Sequence, residues 1–235
     1  MKKILFAIVG LFLLNVSALA QRPDLPGSLI IDIGINSWAN APTNLPLNNI
    51  QSKTVNFTYY WDVPIGEKGF TFTPGIGISS ERYSFDRAFT IGSVTNTAGE
   101  RTISTDDLTQ LIPDASLIGR TKIGMNYLDI PLEFRYYTSG DQYNKGFRAA
   151  IGGKVGVLYS SLTKYWYEDF SGADRLRRDR KNIGLNRFRY GIQARAGWGS
   201  FSLFGFYELS DKWDIAPEGG EETRTLTVGI ALTGF

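Results

Sequence analysis

The sequence predicts an all-β fold: an eight-stranded antiparallel transmembrane up-and-down β-barrel. Three observations carry this. Many stretches alternate apolar and polar residues with period two, the links between them are short and long in turn, and the polar face of the alternation is rich in ions. A soluble core cannot hold so many charges, because each is costly to desolvate even when paired. In a membrane barrel the apolar face meets lipid and the polar face fills the interior.

Composition agrees and narrows the functions open to the chain. Of 235 residues, 43% are hydrophobic, with 26 Gly, 15 Phe, 12 Tyr and 5 Trp, which excludes a disordered chain. No run of about 18 apolar residues follows the N-terminus, so helical spans are not expected. The absence of Cys excludes disulfides, thiol catalysis and cysteine zinc sites. The absence of His removes the commonest general base and metal ligand, so neither enzyme activity nor a cofactor is expected.

The chain opens with an address. Lys2 and Lys3 form a positive start, Ile4–Leu14 an apolar core, and Ala18-Leu19-Ala20 a small-residue cleavage site. Residues 1–20 therefore read as a secretory signal peptide, leaving a mature chain of one domain, 21–235. Removing two Lys lowers Lys+Arg from 25 to 23, equal to the 23 Asp+Glu. A nucleic-acid partner is not expected for a balanced chain.

Eight strands follow in order: Ser28–Trp38, Val55–Val63, Phe70–Ser80, Asn126–Tyr137, Phe147–Leu162, Asn186–Trp198, Phe201–Leu209 and Thr223–Thr233. In the second, Val55, Phe57, Tyr59, Trp61 and Val63 oppose Asn56, Thr58, Tyr60 and Asp62. In the fourth, Leu128, Ile130, Leu132, Phe134 and Tyr136 oppose Asp129, Pro131, Glu133 and Arg135. The sixth sets Phe188, Tyr190, Ile192 and Ala194 against Arg187, Arg189, Gln193 and Arg195. The last sets Leu226, Val228, Ile230 and Leu232 against Thr225, Thr227, Gly229 and Ala231. Side chains alternate faces along a strand, so each has a greasy and a polar side.

The links Pro64–Gly69, Ser139–Gly146 and Gly199–Ser200 are short, whereas Ala39–Ile50, Glu81–Met125, Thr163–Gly184 and Ser210–Glu222 are long. That rhythm is the periplasmic-turn, extracellular-loop pattern of outer-membrane barrels. At the short-turn ends the apolar face carries Trp61, Phe70, Tyr136, Phe147, Trp198 and Phe201, a candidate aromatic girdle at one membrane interface. The inward face carries Asp32, Asp62, Asp129, Glu133 and Glu208 against Arg135, Arg148, Lys154, Arg187, Arg189 and Arg195. Glycines on that face, such as Gly34, Gly75, Gly77, Gly156 and Gly191, leave room for long side chains. Eight strands enclose a lumen that side chains fill, so these ions are expected to form a paired plug.

The segment Asn126-Tyr127-Leu128-Asp129-Ile130-Pro131-Leu132-Glu133-Phe134-Arg135-Tyr136 resembles the "YLxIPL" strand of the small outer-membrane β-barrel domain family of Bacteroidota, which includes the PorT-like proteins. The next strand, with Gly152-Gly153-Lys154-Val155-Gly156, is similar too, and the resemblance extends over the mature chain. It implies an eight-stranded barrel in the outer membrane of a Gram-negative bacterium. For some PorT-like members it implies a part in type IX secretion.

Phe235, the last residue, reads as a cue for the outer-membrane assembly machinery, with Gly234 as a bulge that resets the phase. In the long link 81–125, Ser104–Pro113 has the pattern of a helical turn, capped by Ser104 or Thr105 and stopped by Pro113. Asp106-Asp107 is an adjacent acidic pair there, and adjacency in sequence does not converge two carboxylates. Arg175, Arg177, Arg178, Arg180 and Lys181 form a basic run on the outer side, a candidate site for lipopolysaccharide phosphates or another polyanion. The reading is a membrane-embedded scaffold or interaction component, related to secretion or envelope assembly, in contact with outer-membrane lipid. A narrow solute channel and a surface adhesion or lipopolysaccharide-binding protein are the alternatives.

Overall fold

The computed structural model describes residues 27–42, 45–66, 69–85, 92–95, 101–104, 112, 115–139, 146–180 and 182–233. The expected signal peptide, Lys181, Gly234 and Phe235 lie outside the described residues. So does most of the expected helical turn, while Ser104 itself ends a short strand.

Among the described residues twelve strands run in chain order. They are β1 Ser28–Ala39, β2 Lys53–Tyr60, β3 Val63–Pro64, β4 Phe70–Ser84, β5 Gly92–Thr95, β6 Arg101–Ser104, β7 Ala115–Tyr137, β8 Phe147–Asp169, β9 Asp174–Asp179, β10 Phe188–Trp198, β11 Phe201–Glu208 and β12 Arg224–Thr233. Eight of them close an antiparallel ring, β1-β2-β4-β7-β8-β10-β11-β12, and β12 returns to β1. Closure gives every ring strand two partners within the barrel, the condition for crossing hydrocarbon with strands. Each of the eight expected spans overlaps one ring strand, and β4, β7 and β8 run on past the expected ends. Both ends of the ring and the three short links lie at one end of the barrel, and the four long connectors at the other.

Three features depart from the alternation read in the sequence. First, β7 and β8 reach 23 residues each. At about 3.3 Å per residue that is roughly 75 Å of strand. Tilted by about 40°, it rises well above an apolar band of about 25 Å. Second, a bulge breaks the β7–β8 register: Asn126 pairs with Ser160 but Tyr127 pairs with Leu158. Tyr159 is the extra residue, and the inward face of β8 switches from even numbers (Lys154, Gly156, Leu158) to odd ones (Ser161, Thr163, Tyr165). Third, the basic run expected in a loop is mostly strand β9, which pairs with the projecting part of β8. The turn joining them is tied by Asp169, whose Oδ1 accepts from the N–H groups of Ser171 and Ala173, while Arg175 Nε donates to Oδ2 at 2.8 Å. The Ser171 hydroxyl, the Arg175 guanidinium and the Ala173 N–H hold the Asp169 carboxyl well below the usual carboxylate range.

Solvent exposure is inverted relative to a soluble protein. Ile33, Ile78, Ile130, Phe134, Ile151 and Leu203 point outward and are exposed, whereas Arg189 and Lys212 are among the most buried side chains. The girdle aromatics are also outward, and the register stacks them laterally: Phe70 beside Tyr136, and Phe147 beside Trp198 beside Phe201. Ile130→Arg is expected to destabilise the bilayer-inserted protein by about 2–4 kcal/mol in urea unfolding from vesicles. The same change at Ile50, 81% exposed in the β1–β2 connector, is expected to shift it by less than about 0.5 kcal/mol.

Candidate functional site

The site is the lumen, filled by inward residues of all eight ring strands. At the short-turn end Asp62 accepts from Thr73 Oγ1 at 2.8 Å and Tyr137 Oη at 3.3 Å, and faces Arg135 Nη1 at 3.6 Å. Arg135 also donates from Nε to Glu133 Oε2 at 2.6 Å and lies 4.1 Å from the centre of the Tyr60 ring. Arg148 bonds only neutral oxygens among the described residues, Ser202 Oγ at 2.9 Å and Thr233 Oγ1 at 2.8 Å. A recess of about 20 Å³ opens between Arg135, Arg148, Arg195 and Tyr137, room for about one water molecule.

At mid-height Glu133 is fully buried. Beyond Arg135 it accepts from Arg195 Nε at 2.9 Å, Gln193 Nε2 at 2.7 Å and Tyr60 Oη at 3.1 Å. Arg195 then turns its two terminal nitrogens onto both oxygens of Asp32, a fork geometry that holds a carboxylate in one orientation. Asn56 Nδ2 donates to the same Asp32 carboxylate at 3.2 Å.

Above this, Arg189 bridges two acids. Its Nη2 donates to Asp129 at 2.8 Å and its Nη1 to Glu81, while the Tyr127 ring lies 3.7 Å beneath the guanidinium. Lys154 stands 3.7 Å from Asp129 and 3.9 Å from the centre of Phe206, and Ser79 donates to Asp129. Lys212 lies between Glu208 Oε2 at 2.5 Å and Glu81 Oε2 at 3.5 Å, and Tyr83 donates to Glu81. Gly156 makes this layer possible: a Cβ there would lie 2.2 Å from Asp129 Oδ1 and 3.0 Å from Arg189 Nε. Among the described lumen residues the acids Asp32, Asp62, Glu81, Asp129, Glu133 and Glu208 face an equal number of cations. Those are Arg135, Arg148, Lys154, Arg189, Arg195 and Lys212.

An apolar layer covers the ions at the long-connector end. Trp38 contacts the rings of Tyr83, Phe85 and Trp213 at 5.0, 5.7 and 6.1 Å between centroids. Each long connector contributes to this cluster: Leu45, then Phe85 and Ile103, then Ile183 and Leu185, then Trp213. Gly184, at φ +79°, lets its connector pass close to Ile103, where a Cβ would come within 2.8 Å of Cδ1.

The structure gathers Asp32, Asp62, Asp129, Glu133, Arg135, Lys154, Arg189, Arg195 and Glu208 into this lumen, with Arg148 at its lower mouth. Arg187 does not join them: it is exposed, because the chain is still in the connector one residue before β10 begins. The basic run does not converge either. Strand alternation puts Arg175 and Arg177 on one face of β9 and Arg178 on the other, Arg175 pairs with Asp169, and Arg180 lies past the strand end. Sequence reading stopped the third strand at Ser80 and so missed Glu81, although the inward series Gly75, Gly77, Ser79 leads directly to it. Lys212 lies in a connector, where no periodicity could have marked it.

Arg195→Leu would leave Asp32 and Glu133 buried and short of a counter-charge. It is expected to destabilise the inserted barrel by about 3–5 kcal/mol. Arg187→Leu is expected to change stability by less than about 0.5 kcal/mol in the same urea titration.

A family model described as "Outer membrane protein beta-barrel domain" matches residues 32–218. No curated protein matches the chain. One solved structure, described as "Asymmetric conductivity of engineered proteins", is similar at 10% sequence identity, covering 88% of this chain and 99% of that one with a TM-score of 0.22.

Proposed function

We propose that this chain, which belongs to the outer membrane protein beta-barrel domain family, is a sealed, non-enzymatic membrane anchor that carries a β-structured platform on its long-connector side. The observation that carries the reading is the filled lumen, where among the described residues six acids face six cations under an apolar lid drawn from all four long connectors. An ion crossing it would have to displace Arg189 or Arg195 from two carboxylates and then part the Trp38–Trp213 cluster. Both steps expose buried charge or apolar surface. Export through the cleaved signal peptide and a long-connector end facing outward complete the reading. The platform consists of the β5–β6 hairpin and the projecting β7, β8 and β9. It suits an interaction component, and the resemblance of Asn126–Tyr136 to PorT-like strands points that role toward secretion or envelope assembly.

The test is conductance. Purified protein reconstituted in planar bilayers at high salt is expected to give no steady current steps. An Arg189→Ala/Arg195→Ala double variant that still shows heat-modifiable gel migration is expected to give intermittent openings. Steady openings from the unaltered protein would sink the sealed-anchor reading in favour of a narrow channel.

A further inference from the structure

On the projecting strands three cations stand directly opposite one another. Lys122 on β7 is the register partner of Lys164 on β8, and Lys164 is the register partner of Arg178 on β9. Directly opposed side chains have Cβ atoms about 4.5–5.5 Å apart, where like charges destabilise a sheet. Close below, Lys53 on β2 opposes Arg82 on β4. Two residues above Lys122, Arg120 lies 5.6 Å over the ring of Trp166.

These six cations share the outward face. On β7, Lys122 and Arg120 continue the parity of Leu128 and Ile130; on β4, Arg82 continues that of Ile76 and Ile78; on β2, Lys53 continues that of Val55 and Phe57. Past the Tyr159 bulge the outward residues of β8 are Leu162, Lys164 and Trp166. The cations therefore lie along the upper margin of the apolar belt, on the side of the barrel built by β2, β4, β7 and β8.

Little within the protein offsets them. Among the described residues none of the six forms an ion pair with a carboxylate, and Arg82 donates only to Asn126 Oδ1 and the Glu81 carbonyl. Partial burial first, and then the charges of Arg120, Lys53 and Lys164, hold the Lys122 ammonium below its ordinary value. The acids on the same face, Glu168 and Asp174, oppose each other four residues beyond Lys164, about 13 Å away along the strand. Trp166 and Leu176, register partners beside the row, give it an amphipathic flank.

We propose that this row binds the phosphate monoester groups of a glycolipid headgroup in the outer leaflet, the lipid's acyl chains lying along the apolar belt below. Phosphates seated between Lys122, Lys164 and Arg178 would turn a repulsive row into an alternating one. Arginine and lysine supply the charge-assisted hydrogen bonds for such oxygens. Continuity with the lipid-facing belt selects a lipid over a soluble anion. The proposal rests on the outward orientation of the long connectors and not on the sealing of the lumen, which the conductance measurement addresses separately.

The experiment uses the full mature chain in detergent micelles, titrated with diphosphoryl lipid A and read by native mass spectrometry and by melting temperature. The comparison is a Lys122→Gln/Lys164→Gln/Arg178→Gln variant. At about fivefold per surface cation, the variant is expected to bind on the order of a hundredfold more weakly. Without lipid it is expected to melt no lower than the parent, since only repulsion has been removed. Should the triple variant fail to assemble, Lys164→Gln alone is expected to weaken binding by about fivefold. Equal affinity of parent and variant would overturn the proposal. So would equal binding of fully dephosphorylated lipid A or of phosphatidylglycerol, and so would inorganic phosphate that stabilises the parent as far as the lipid does.

Discussion

Two arginines on one strand hold the interior together. Arg189 and Arg195 lie six residues apart on the inward face of β10, and each reaches across the lumen to two acids from other strands. Arg195 joins β10 to Asp32 of β1 and Glu133 of β7, and Arg189 joins it to Glu81 of β4 and Asp129 of β7. Backbone hydrogen bonds by themselves link each ring strand only to its immediate neighbours around the circumference. These guanidiniums are the cross-braces, and the fork geometry makes each brace directional as well as attractive. The Tyr127 ring lies 3.7 Å from the Arg189 guanidinium and the Phe204 ring 5.4 Å from that of Arg195, so the braces are packed as well as paired.

The cross-braces also decide what lies above them. Arg189 and Lys212 both terminate on Glu81, so the uppermost ions are consumed by one another and present no free charge to the lid. An apolar cluster can then sit directly on an ionic layer without stranding a charge beneath it. Tyr83 and Tyr127 are the interface between the two: their rings belong to the cluster, and the Tyr83 hydroxyl bonds Glu81. Lys212 reaches the lumen because its connector is pinned on either side. The Lys212 N–H donates to the Thr223 carbonyl, and Trp213 forms an isolated bridge with Leu185. The long connectors are thus shaped by a core of the ordinary soluble kind, placed over a barrel of the inverted kind.

This division explains which parts were legible in the sequence. Within the belt each residue faces either lipid or lumen, so period two is enforced. Leu128 to Tyr136 and Phe188 to Ala194 announce both strand and face. Above the belt both faces of β7 and β8 meet water or connector, the contrast fades, and spans such as Ala115–Met125 read as loop. The bulge at Tyr159 hides the rest of β8 further, since a one-residue phase change makes a continuous strand look like two patterns. Charge identity survived better than charge position. Most inward ions of the belt were found by parity, Arg187 was overextended from a correct series, and Glu81 was lost by ending a correct series one step early. Lys212 and the lid depend on tertiary contacts between connectors, which no local pattern encodes.

The projecting strands combine rigidity with an unbalanced charge. Their basic side chains sit on backbone ladders that continue those of the ring, so cross-strand spacing is fixed at about 4.8 Å by the same hydrogen bonds that close the barrel. A loop with the same charges would relax by spreading them. A ladder cannot, because moving Lys164 away from Lys122 and Arg178 means breaking the pairing of β7, β8 and β9. The β8–β9 turn, tied by Asp169, holds the outer strand in register. Solvent and counter-ions screen such a row in water, but beside a membrane of low dielectric they screen it less. A fixed cationic row at that margin is therefore a preorganised receptor for anionic groups carried by the bilayer, and its geometry comes from the barrel itself.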